Sequence, residues 1–364
     1  MAARLEVLTE RDANGVMRKL ASFAMATESM TIKNAWWDGQ GGVKARAVFD
    51  KIQKGSVMFE ASGIDRVRIE TRPLYAMVGD AAVESTMARE LYRADRSTEP
   101  LAVIGMRAEY AQKPAALMLA LLEGMTGESD PHVQTCGILD NGGTLFAQAA
   151  SAREIDMGRG SVARVHPFVR LNNNKRSDGL GASIIDIVCW NTLGTATQDA
   201  ESMGLLFDKP GKRSATYEAR IKRYAKAFGA ILESTEKLGK AARIAKEMPM
   251  TPQARKEAIT SIIAKDEAET TAQEDNKISS ILTLSTGAGL LGVESHMEGS
   301  AWSVVAAVTQ WADRSMSRHY SDEEKADSGL RDGNTYLAST LGLDERANGL
   351  RQAAHDWLFE TVEV

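Results

Sequence analysis

Val67 and Ile69 alternate with Arg66, Arg68 and Glu70, and this two-residue period predicts a half-buried strand running towards Tyr75. Leu101–Arg107 reads as a second strand. Val133–Leu139 and Thr144–Ala150 flank Asp140-Asn-Gly-Gly143, residues that tolerate positive φ, so the two runs predict a hairpin. Val162–Leu171 and Ala182–Val188 predict another, joined by the polar connection Asn172–Gly179. The period changes after Tyr217. Ile221, Tyr224, Phe228, Ile231, Leu232, Thr235 and Leu238 recur at helical spacing and predict one long amphipathic helix. Met248-Pro-Met-Thr-Pro252 ends it, with Thr251 placed to cap the next helix. Further helices are expected over 16–29, 192–207, 302–316 and 344–359, over 115–125 with Pro114 in the first turn, and as a short piece within 44–61.

All eight prolines lie at or before Pro252, which suits a helical C-terminal part because proline breaks helix interiors. The fold class expected is α+β: a curled antiparallel sheet of hairpins with helices on one side, then a helical C-terminal part. The division expected is an α+β core over 1–207 and a helical region over 208–364. Hydrophobic residues make up 43% and charged residues 26% of 364, ordinary globular usage that argues against disorder or a fibrous repeat. No apolar run reaches membrane-spanning length and the first residues are too polar for a signal peptide. With two cysteines, Cys136 and Cys189, neither a disulfide framework nor an all-cysteine zinc site is open, and a cytoplasmic setting in a bacterial host is expected.

Charge changes the picture more than composition does. The overall balance is −5, yet residues 1–158 carry 18 basic and 21 acidic residues, 159–256 carry 18 and 9, and 257–364 carry 8 and 19. A basic block inside an acidic chain points to a local anion-binding surface. Residues 159–176 hold five basic residues and no acidic one, and 209–226 hold seven against one. Arg164 and Arg170 are six apart and therefore share one side of a strand; Lys175 and Arg176 extend it into the loop. Lys212, Arg213, Arg220 and Arg223 stand at or near the start of the long helix. Together they would form a cationic groove for a nucleic-acid backbone, with Trp36, Trp37 and Trp190 as stacking platforms.

Templates for catalysis fail on their surroundings. Gly287-Ala-Gly-Leu-Leu-Gly292 follows the strand-like Ile281–Leu284, but Gly299 interrupts where a dinucleotide fold needs a helix, so it reads as a glycine-rich loop. The five histidines have no metal-ligand spacing. No cofactor, metal or catalytic residue is assigned. One scattered constellation, Asp38, His166 and Asn191, would support an enzyme if the fold gathered it.

Five stretches, Ala35–Gly41, Arg72–Tyr75, Pro167–Arg170, Val188–Leu193 and Gly299–Asp313, resemble the phage- and plasmid-borne family known as domain of unknown function 932. The Cys-Trp-Asn-Thr-Leu run and the Gly-Ser-Ala-Trp helix start are the most specific of them. Asp38 stands where members of that family often have a histidine, so no chemistry of that histidine carries over. The resemblance implies a mobile-element setting near replication, recombination and anti-defence functions. The order of two hairpins and a helix is also similar in topology to ring-forming single-strand annealing proteins. The expectation is a homo-oligomeric single-stranded-DNA-binding protein, active in annealing or recombination and not an enzyme. The alternative is a scaffold or host-interaction protein working through its acidic C-terminal helices.

Overall fold

A computed structural model describes residues 6–11, 17–26, 44–106, 112–139, 142–150, 153–172, 179–186, 192–199, 217–264, 270–286, 299–314 and 345–362. The strands are β1 (Val7–Arg11), β2 (Met17–Ala26), β3 (Lys44–Phe49), β4 (Gln53–Lys54), β5 (Ile69–Val78), β6 (Ala81–Arg93), β7 (Arg96–Gly105), β8 (His132–Leu139), β9 (Thr144–Ala149), β10 (Arg153–Asp156), β11 (Val162–Asn172), β12 (Gly179–Asp186) and β13 (Thr192–Asp199). The helices are α1 (Gly55–Ser62), α2 (Pro114–Thr126), α3 (Tyr217–Glu247), α4 (Pro252–Ile263), α5 (Ala272–Ser285), α6 (Ala301–Arg314) and α7 (Glu345–Val362).

The architecture is α+β. A ten-stranded sheet runs in the order β1-β2-β8-β9-β11-β12-β13, with β3 beside β2, β4 beside β8 and β10 beside β11. Every pairing in it is antiparallel except β2–β3. A separate three-stranded sheet, β5-β6-β7, is a meander. Both hairpins read from turn chemistry form as expected, β8–β9 around Gly142 and β11–β12. Pro114 occupies the first turn of α2, and Thr251 caps α4 by accepting from the Ala254 amide at 3.1 Å.

Three expectations are corrected. Residues 17–26 form strand β2, because the buried run Ala21–Ala26 lies between β3 on one edge and β8 on the other, and a continuous apolar run fits a central strand as well as a helix. Thr192–Asp199 forms strand β13 against β12, with three threonines favouring extended backbone and Gly194 weakening the expected helix. Ile281–Leu284 belongs to α5, nucleated by a capping box in which Thr271 and Glu274 each accept from the other's backbone amide.

Val165, Val169 and Leu171 of β11 point into the main apolar cluster, which they share with Leu121 of α2, Phe228 and Leu238 of α3 and Trp302 of α6. That cluster draws on residues from both sides of position 207. A second cluster joins α4, α5, α6 and α7 through Ile259, Ile281, Trp311 and Ala354. No helix among the described residues is long and apolar enough to cross a membrane.

Candidate nucleic-acid interface

The candidate interface depends on how β11 and α3 lie together. Arg159, just before β11, clasps Glu247 at the end of α3 with two bonds of 2.7 Å. Lys246 reaches the Gly158 carbonyl at 3.4 Å, Arg243 meets Asp156 at 3.2 Å, and Arg153 pairs with Glu236. Each contact steps back along α3 as it steps back along β10, and β10 is antiparallel to β11. So α3 and β11 run in opposite directions. From Val165, which lies opposite Arg153, to Asn172 the strand advances about 23 Å. From Glu236 back to Arg220 the helix covers about 24 Å. The end of β11 and the start of α3 therefore lie towards one end of the fold.

The sequence-predicted cations are divided by this arrangement. Lys175, Arg176, Lys212 and Arg213 lie outside the described residues, as do Trp36, Trp37 and Trp190. Arg220 and Arg223 fall in the first two turns of α3. Arg164 and Arg170 do share one side of β11, but alternation with Val165 and Val169 turns that side away from α3. Arg164 is held by Glu154 at 2.8 Å, and Arg170 is only 8% exposed. A burial that deep was not readable from a strand whose basic residues suggested a solvated face. The two strand arginines therefore do not join the groove that the helix start would build.

Their side of the sheet carries a set of buried polar groups, of which the sequence singled out only His166 and Arg170. The register aligns Thr135, Gln148 and Phe168 across β8, β9 and β11, with His166 and Arg170 flanking Phe168. All five are buried. The Thr135 hydroxyl and both imidazole nitrogens of His166 have no hydrogen-bond partner among the described residues. Phe23 and Phe146 pack beside them in a tilted pair with ring centroids 6.1 Å apart. The Gly137 position between those rings leaves only 3.0 Å for a Cβ, so a side chain there would displace one of them. The enzyme constellation is only partly visible, since Asp38 and Asn191 lie outside the described residues. Among those residues no three His, Cys, Asp or Glu side chains gather to hold a metal. Cys136 is buried against the Met58 carbonyl and the Ser62 hydroxyl, and burial pushes its thiol up to about 12, which makes it inert.

His166 has a measurable consequence. Burial lowers its imidazole to about 4, opposed in part by a backbone interaction with Ala149 and helped by the nearby charge of Arg164. The unfolded chain takes up this proton near pH 6.5 while the folded chain stays neutral, so stability falls as pH drops from about 6.5 to about 4. The contribution lost is about 3 kcal/mol. The denaturant midpoint of wild type should fall relative to that of His166→Gln as pH falls through that window. A constant difference between them would contradict the buried neutral imidazole.

The family described as domain of unknown function (DUF932) matches residues 100–338, well over half of the chain. The chain belongs to the DUF932 family. The matched span starts within β7 and runs through α6, so it takes in β11 and α3 with their connecting stretches. It is narrower than the reach of the sequence motifs: Ala35–Gly41 and Arg72–Tyr75 lie ahead of it. Of the DUF932 motifs within it, Pro167–Arg170 forms the centre of β11 and Gly299–Asp313 forms α6 with its lead-in. No curated protein and no solved structure matches the chain.

Proposed function

We propose that the chain binds single-stranded DNA without catalysing a reaction, as a protein of phage or plasmid origin serving annealing or recombination. The strand passes between the Asn172–Gly179 connection and the stretch leading into α3, held by Lys175, Arg176, Lys212, Arg213, Arg220 and Arg223. The observation that supports this reading is the antiparallel course of β11 and α3, which puts the end of that strand and the start of that helix towards one end of the fold. Residues 172–179 and 209–226 together carry nine basic residues against Asp178 and Glu218, a balance that suits a polyanion, and binding would release counterions.

The test is fluorescence anisotropy of a labelled oligothymidylate across a salt series. Each phosphate contact to a single strand contributes about 0.7 to the slope of log affinity against log salt. The variant Lys175→Ala/Arg176→Ala/Arg220→Ala/Arg223→Ala should flatten the slope by about 3. Arg164→Ala, on the other side of the sheet, should leave it unchanged. An unaltered slope in the fourfold variant, or a flattened one in Arg164→Ala, would remove this surface from the binding site.

A further inference from the structure

The β5–β6 hairpin carries an exposed surface that nothing described so far uses. Beyond the reach of β7 it becomes a two-stranded ribbon closed by a turn at Gly79-Asp80. Strand register puts Tyr75 and Met77 on one side with Ala82 and Glu84, and Ala76 and Val78 on the other with Ala81 and Val83. Every one of these is solvent-exposed, while Ser85 and Ala88 at the ribbon's root are half-buried. Met77 is 69% and Met87 80% exposed. Exposed two-stranded ribbons are at best marginal in water, and large apolar side chains on both faces mark a surface that gains by being covered.

The base of the hairpin is fixed. Arg93 at the end of β6 bonds Glu6 at 2.5 Å and Asp95 at 2.7 Å, and Arg96 reaches Glu6 at 3.1 Å. The ribbon thus projects from a clamped root. From Leu74 to Ala88 its only charged residues are Asp80 and Glu84. An acidic, apolar tip repels a phosphate backbone and needs a partner of the opposite kind.

Such a surface exists on the same chain. Lys237, Lys240 and Ile244 follow one another along a single stripe of α3, all exposed, and neither lysine has a carboxylate partner among the described residues. Glu247, beyond them, is occupied by Arg159, which also holds its carboxyl below the usual range. The stripe presents two free ammonium groups beside an exposed branched apolar side chain, the complement of the ribbon's carboxylates, valines and methionines.

The geometry points to the β5–β6 ribbon of one copy docking on the Lys237–Lys240–Ile244 stripe of α3 in a second copy of this chain. Ribbon and stripe are different patches, so the contact is head-to-tail, and each copy offers one of each to its neighbours. Repetition closes a ring or extends a filament. The DNA-binding residues proposed above lie towards the other end of α3, so the two surfaces do not compete.

Sedimentation velocity without oligonucleotide tests this independently of the nucleic-acid reading. Wild type should sediment as multiples of its 39.4 kDa chain. Asp80→Lys/Glu84→Lys and Lys237→Glu/Lys240→Glu, each with unchanged circular dichroism, should each fall to the single-chain mass. An equal mixture of the two should regain the wild-type mass, because each variant's reversed patch meets its complement on the other. A monomeric wild type, a reversed variant that keeps the wild-type mass, or a mixture that stays monomeric would overturn the proposal.

Discussion

Replacing Glu6 by Gln is expected to destabilise the fold by about 3–5 kcal/mol, the cost of leaving a buried cation without its partner. Glu6 lies just ahead of β1 and is fully buried; it receives Arg93, Arg96 and, at 3.4 Å, the Ser22 hydroxyl. Its backbone is equally committed, donating to the Ile138 carbonyl and accepting from the Ser22 amide, both at 2.8 Å. Arg93 is 4% exposed, so its charge cannot recover hydration when the carboxylate goes. Asp95 keeps part of the pairing, and together with Glu6 it holds Arg93 above its usual range against the opposing effect of burial. The guanidinium also packs where Gly142 leaves room: a Cβ there would sit 2.3 Å from Arg93 Cδ, and φ is +93°. Removing both charges, as in Glu6→Leu/Arg93→Met, should recover much of the loss, since an apolar pair of similar volume needs no desolvation. Urea midpoints of the two single variants and the double variant check this. Additive losses would mean that the pair is not coupled.

The second large effect is expected at Trp302, where Ala should cost about 3–5 kcal/mol. The indole is fully buried at the start of α6, in the cluster that ties that helix to α3 and the sheet. Lys246 Nζ lies 5.6 Å from the ring centroid and is itself buried. Truncation therefore opens a cavity and also removes the aromatic face from a buried ammonium, which puts the loss at the upper end of that range. Since small domains are held by about 5–15 kcal/mol in all, Trp302→Ala should be folded only marginally. Trp302→Phe keeps most of the volume and a π face, and it discards an indole N–H that has no acceptor among the described residues. It should lose less than half as much. Equal losses for Phe and Ala would show that the ring does not fill the site.

Much of the architecture could be read from periodicity and turn chemistry. The Asp140–Gly143 and Asn172–Gly179 connections mark two hairpins, and the stripe from Tyr217 to Leu238 marks α3, because in each case local preference and tertiary environment agree. Where they disagree, the sequence misleads. The run Leu20–Ala26 has no helical or strand period of its own, and only its neighbours β3 and β8 decide that it is extended. Thr192–Asp199 becomes a strand by pairing with β12, a partner that no local window contains.

The candidate site was legible in charge and poorly legible in depth. The basic stretches announce themselves by composition, while the antiparallel course of β11 and α3 could be read only from the fold. Arg170 and His166 carry no mark in the sequence that distinguishes a buried strand position from an exposed one. Thr135 and Gln148 join them only through the register of three strands. Glu6 sits in a polar N-terminal stretch that gave no hint of burial. The ribbon residues Met77, Val78 and Val83 mislead in the opposite sense, since apolar residues on a strand suggest a core they do not enter.

Photo-cross-linking reads the proposed path of the strand without mutating it. Oligonucleotides carrying 5-iododeoxyuridine would be irradiated with the wild-type protein and the modified peptides mapped by mass spectrometry. Binding along the proposed path places the adducts in residues 172–179 and 209–226, with none on the β5–β6 ribbon. Adducts confined to the ribbon or to α7, or none at low salt, would contradict it.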